Sequence, residues 1–142
     1  MIRPLFLLTL FVAAPAVAQQ VPGPIPADVV SVYDGDSLTV QALVWPGHTV
    51  TTAVRLAGVD APEIKGRCEE EKAAALAARD HLRSLVQDGR VFLWNVQVEK
   101  YGRALAAVSL NDGRDVAAEM LAGGFGRPYG GEKRAGWCSK IE

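Results

Sequence analysis

The chain has 142 residues, of which 15 are basic and 16 acidic, a formal charge of −1. That balance counts against a protein that coats nucleic acid through a broad basic surface. His48, His81, Cys68 and Cys138 show no ligand spacing, which sets aside a structural zinc site, and the length suits one small domain.

The opening "MIRPLFLLTLFVAAPAVA" places Arg3 before an apolar run from Leu5 to Ala14, with small residues at Ala16 and Ala18. This is the layout of a secretory signal peptide cleaved after Ala18. The run is shorter than the roughly 20 residues that span a bilayer, and Pro15 interrupts its end. The expected product is exported, to the periplasm or the medium, without stable membrane association and by default monomeric. Without Arg3 it keeps 14 basic residues (15 − 1) against 16 acidic ones. Residues 19–27 read as an extended, proline-rich lead-in, and residues 28–142 as the folded domain.

Within "ADVVSVYDGDSLTVQALVW", Val30 and Val32 alternate with polar neighbours, and so do Leu38, Val40 and Ala42. Alternation on both sides of "DGD" predicts a β-hairpin. "WPGH" is a second turn, and the β-branched "TVTTAVRLAGV" a third strand that stops at Pro62, which cannot donate to a ladder. "CEEEKAAALAARDHLRSLVQDG" then predicts a helix: acids in its first turn, Gly89 past its end, and Ala75, Ala78, Leu82 and Val86 on one face. His81 is expected to face solvent. "RVFLWNVQVEK" and "RALAAVSLN" read as two more strands and "RDVAAEMLAGG" as a short helix. The tail "FGRPYGGEKRAGWC" looks too rich in Gly and Pro for regular structure. Five strands with a helix between the third and fourth predict an α+β, mainly β fold of the oligonucleotide-binding barrel type.

The two cysteines both fall in the exported part, where an even pair reads first as a disulfide. A Cys68–Cys138 bridge closes a loop of about 70 residues and adds roughly 4 kcal/mol in the chain-entropy picture, less any strain.

Three charged patches remain. "YDGDS" is explained by a hairpin turn except at Asp36, since aspartate is depleted in strands. In "VRLAGVDAPE", Arg55 lies in an apolar strand, and a buried arginine needs an anionic partner. "EKYGR" alone passes for a solvated turn. Together they supply Asp36, Asp60 and Glu63 with Arg55 and Arg103. Two carboxylates a few ångströms apart repel by a few kcal/mol at an effective dielectric of about 20, and a hard cation between them relieves this. Arginines match phosphate oxygens in bidentate fashion, and a nearby glutamate can deprotonate an attacking water. This is an inventory for phosphodiester hydrolysis.

"DGDS", "RLAGVDAPE" and "EKYGR", in that order, resemble the staphylococcal nuclease (thermonuclease) family, with similarity from about Val29 to Tyr129. The resemblance implies a calcium-dependent nuclease of the oligonucleotide-binding barrel fold. It would cleave DNA, RNA or both to 3′-phosphate products. It assigns Asp36, Asp60 and the backbone carbonyl of Ala61 to calcium, Glu63 to the general base or to orienting the attacking water, and Arg55 and Arg103 to the phosphate. Lys100, Tyr101 and Tyr129 match the nucleotide-binding side. Ser37 and Glu99 depart mildly from the family pattern. The loop after Glu63 is shorter than in the best-known member, and the tail ends soon after the second helix, where Cys138 would clip it near the site. The alternative is an inactive barrel that binds single-stranded nucleic acid or a protein partner; it fits less well because all five charged residues are kept.

Overall fold

A computed structural model of the chain describes residues 19–139; the expected signal at 1–18 lies outside the described residues. In chain order the strands and helices are β1 (Ile25–Asp34), β2 (Ser37–Trp45), β3 (His48–Leu56), β4 (Gly58–Asp60), α1 (Glu69–Leu85), β5 (Arg90–Val98), β6 (Ala104–Leu110), α2 (Val116–Ala122) and β7 (Arg127–Tyr129). Five strands close a barrel in the order β1-β2-β3-β6-β5, the mixed topology of the oligonucleotide-binding fold expected from the strand count. The meander β1–β2–β3 is antiparallel, whereas β3 meets β6 in parallel with Arg55 opposite Leu105. A parallel pair needs a long crossover, and α1 with β5 supplies it. No helix among the described residues is long and apolar enough to cross a membrane.

The core follows from the alternation. Leu38, Val40, Val54, Leu56, Val91, Leu93 and Val108 point into the barrel, while Ala75, Ala78 and Leu82 of α1 with Met120 of α2 cap it. Each fully buried Leu, Val or Met side chain contributes about 1.5–3 kcal/mol relative to exposure. The capping helix comes very close to the β1–β2 turn. A Cβ on Gly35 would lie 2.6 Å from that of Ala78 and 2.8 Å from that of Ala61. Close approach, not a left-handed backbone, therefore requires the glycine of "DGDS".

Four features differ from the sequence expectations. The strand β1 starts at Ile25, inside the segment read as lead-in. Val30 does not share the inward face with Val32: it is 60% exposed, because a bulge between Val29 and Ser31 reverses the alternation. His81 does not simply face solvent but stacks on Phe125, with ring centroids 4.2 Å apart. The tail is not devoid of regular structure either, for β7 pairs antiparallel with β4, bringing Arg127 opposite Asp60.

Candidate active site

The β2–β3 register sets Ser37 opposite Arg55, so Asp36, in the turn just before β2, comes alongside that arginine. The Leu56 amide donates to the Asp36 carbonyl at 2.8 Å and anchors the turn to β3. The Asp36 carboxylate accepts from the Ala61 amide (2.9 Å) and from the Ser37 hydroxyl (2.9 Å), tying the turn to the loop after β4. Asp60, at the end of β4, is 1% exposed. Between the two acids stands Arg55, its Nη2 3.7 Å from Asp36 Oδ2 and 3.7 Å from Asp60 Oδ1.

Those separations exceed hydrogen-bond range, and Arg55 Nη2 is a buried nitrogen without a hydrogen-bond partner among the described residues. An unsatisfied buried donor costs about 1–3 kcal/mol, more when charged. Such a donor is suited to an anion arriving from outside. The Arg55 guanidinium also lies 5.0 Å from the Tyr129 ring centroid, a cation–π contact, and both residues line a recess of about 410 Å³ with Glu99.

Asp34 joins this group, although the sequence offers it only as a turn residue. It is buried, and the Asp36 amide donates to its Oδ1 at 3.3 Å. Burial first, then repulsion from Asp36, pushes its carboxyl up from 3.8 to about 7. The folded value lies above the unfolded one, so Asp34's contribution to stability is fully present below pH 4 and is lost as pH rises through about 7. Stability is therefore expected to fall between pH 5 and pH 8, with the loss largely complete once the pH passes about 7. Asp34→Asn should flatten the trend and be the more stable protein at pH 8. Urea unfolding in chelator-containing buffer at both values tests this, and an unchanged slope in the variant would count against it.

The tail completes the surroundings of Asp60. Arg127 donates to Asp60 Oδ2 through Nε and Nη2, each at 3.3 Å, and Trp137 Nε1 donates to the same oxygen at 3.2 Å. Arg134 donates to Asp60 Oδ1 through Nε, to the Ala61 carbonyl through Nη2 at 3.2 Å, and to Glu63 Oε1 through Nη1, and its Nη2 also forms an ion-pair contact with Asp60 Oδ1. Desolvation works against its charge, but Asp60 and Glu63 more than offset this and raise its pKa above the ordinary arginine value. The disulfide Cys68–Cys138 fastens this tail to the N-terminus of α1.

Glu63 sits on the loop between β4 and α1, and Glu71 shapes that loop from within. The buried Glu71 carboxylate accepts from the Arg67 amide at 2.9 Å and the Glu63 amide at 3.4 Å. Cys68, Glu71 and Cys138 have ligand-type atoms within 4.8 Å of one another, but the bridged sulfurs offer no thiolate.

Asp36, Arg55, Asp60, Ala61, Glu63 and Tyr129 are thus brought together. Arg103 makes no hydrogen bond or ion pair to them among the described residues: it pairs with Glu99 at 2.8 Å and lines a neighbouring recess of about 270 Å³ with Asp34 and Ser37. Lys100 and Tyr101 stand at the exposed β5–β6 connection, Tyr101 93% exposed with φ at 78°. Sequence reasoning missed Asp34, Glu71, Arg127, Arg134 and Trp137. The only hint was Cys138, which promised that the tail would be held near the site.

The carboxylates of Asp36 and Asp60 and the carbonyl of Ala61 offer hard oxygen donors, the class that suits a hard divalent cation. Its affinity for positive charge is visible in Arg55 and Arg134, which lie against the same oxygens.

Residues 53–136 match the family described as Staphylococcal nuclease homologue. The chain is also 35% identical over 79 residues to "Probable endonuclease LCL3" of Phaeosphaeria nodorum. That match covers 54% of this chain and 27% of the relative, so the chain spans just over a quarter of that protein's length.

Proposed function

Since this chain belongs to the staphylococcal nuclease homologue family, we propose that it is an exported, calcium-dependent nuclease that hydrolyses phosphodiester bonds of DNA, RNA or both. The observation that carries this reading is Arg55 Nη2, buried between two aspartates beside an open recess and without a hydrogen-bond partner among the described residues.

Asp36, Asp60 and the Ala61 carbonyl would hold the calcium ion, which, when bound, supplies Lewis-acid polarisation of the phosphoryl oxygen. Arg55 donates Nη2 to a non-bridging oxygen of the diester and stabilises the charge that grows there in the transition state. Arg103 approaches from the adjoining recess, released from Glu99 to meet the same group. Glu63 takes the proton of the attacking water. The water oxygen bonds to phosphorus, the bond to the 5′ oxygen breaks, and that oxygen takes a proton from solvent water while Glu63 later returns its own to solvent, leaving a 3′-phosphate and a 5′-hydroxyl. Tyr129, whose ring lies against the Arg55 guanidinium, would support a base or sugar at the recess, and Lys100 and Tyr101 would meet the strand farther out.

Export is supported by the signal-like residues 1–18 and by a disulfide, which persists in oxidising compartments. The experiment is digestion of single- and double-stranded DNA and of RNA by the exported protein, with calcium and then with chelator. Cleavage that requires calcium and leaves 3′-phosphate ends is expected. Cleavage indifferent to chelator would remove the metal role, and binding without cleavage would favour an inactive barrel.

A further inference from the structure

We propose that Arg134 is a built-in competitor for the cation: its tethered guanidinium lies on the oxygens that would otherwise hold the ion, which must displace it. This rests on the calcium-site reading above.

The geometry is specific to one side chain. A single guanidinium spans the Asp60 carboxylate, the Ala61 carbonyl and the Glu63 carboxylate, that is, two of the proposed calcium ligands and the proposed base. Guanidinium stays charged at every accessible pH, so it neutralises these oxygens wherever it rests on them. An ion and Arg134 cannot both lie against Asp60 Oδ1 and the Ala61 carbonyl without strong like-charge repulsion.

Two features hold the guanidinium in place. Cys138 follows Arg134 by four residues, and Cys68 follows Glu63 by five, so the disulfide staples the segment carrying the base to the segment carrying the arginine. That tether keeps Arg134 at high effective concentration beside Asp60. Arg127 adds a brace, stacking 3.9 Å over the Trp137 ring while donating to the carbonyls of Ala135 and Gly136. Arg134 itself is only partly enclosed, its side chain 32% exposed, and a cavity of about 360 Å³ lined by Glu63, Glu71 and Trp137 adjoins it. The displaced side chain has somewhere to go without unfolding the tail.

The affinity measured for the ion is the intrinsic affinity scaled by the fraction of molecules in which the oxygens are free. Removing the arginine should raise that fraction, although Arg55 stays beside the same carboxylates. Calcium binding to the mature protein is measured by calorimetry in wild type, Arg134→Gln and the double variant Cys68→Ser/Cys138→Ser. Arg134→Gln is expected to bind calcium roughly tenfold more tightly or better, the cysteine variant by a smaller factor. In wild type, the Arg134 Nε–H signal in NMR should be protected from exchange and lose that protection as calcium is added, a readout that needs no variant. Equal or weaker calcium binding by Arg134→Gln would overturn the competitor role. Failure of every protein to bind calcium would instead overturn the calcium-site reading on which it stands.

Discussion

Glu63→Gln is expected to slow phosphodiester cleavage by about 10²- to 10⁴-fold at saturating calcium, the range that a positioned general base contributes. Glutamine keeps the shape and the hydrogen-bonding reach of the side chain and removes its basicity. Glu63 stands on the surface of the loop, and its backbone is held by Glu71 through the amide rather than through its own carboxylate. The fold should therefore tolerate the change, with a melting temperature within a few degrees of wild type. Single-turnover cleavage of a defined oligonucleotide, alongside thermal unfolding, separates the two effects. A variant that cleaves at the wild-type rate removes Glu63 from the chemistry.

Arg55→Met should fail in two ways at once. The guanidinium is the counter-charge between Asp36 and Asp60, and all three groups are buried. Taking away one partner of a buried ion pair costs up to about 3–5 kcal/mol; Asp60 keeps Arg127 and Arg134, so the charge left stranded is chiefly that of Asp36. Calcium should restore part of that stability, because it supplies positive charge to the same carboxylates. Cleavage should nevertheless stay about 10²- to 10³-fold below wild type even where the variant is folded, if Nη2 is, as proposed, the donor to the diester. Arg55→Lys is the control: it keeps the charge and much of the stability but cannot span two oxygens. Unfolding with and without calcium, paired with cleavage assays, checks both arms. A methionine variant as stable as wild type in chelator would show that the aspartates do not depend on Arg55.

Both expectations start from residues that stand out in the chain before any coordinates. Arg55 does so because a charged side chain among Val54, Leu56 and Val59 needs a partner, and the partner turns out to be a pair of acids. Asp36 does so because a turn explains its two predecessors but not itself. The three motifs also named the family that residues 53–136 match, although "DGDS" lies upstream of that match. Glu71, by contrast, passed for one more acid favouring the helix dipole, and its part in holding the Glu63 loop emerges only from its hydrogen bonds.

What the chain announces locally it announces through period and propensity. Alternation marks β2, β-branched residues mark β3, and glutamates before an alanine-rich apolar face mark α1, because each depends on neighbours within a few residues. The barrel type could be anticipated from element order for the same reason. Tertiary structure alone decided the rest. The β1 bulge that exposes Val30 and the turn that buries Asp34 against Asp36 depend on pairing with β2. The three-residue strands β4 and β7 are too short to carry a periodic signal and meet across nearly 70 residues of chain. Arg134 reaches Asp60 because a disulfide and a barrel wall converge there, and closure over such a distance has no local signature in the intervening sequence.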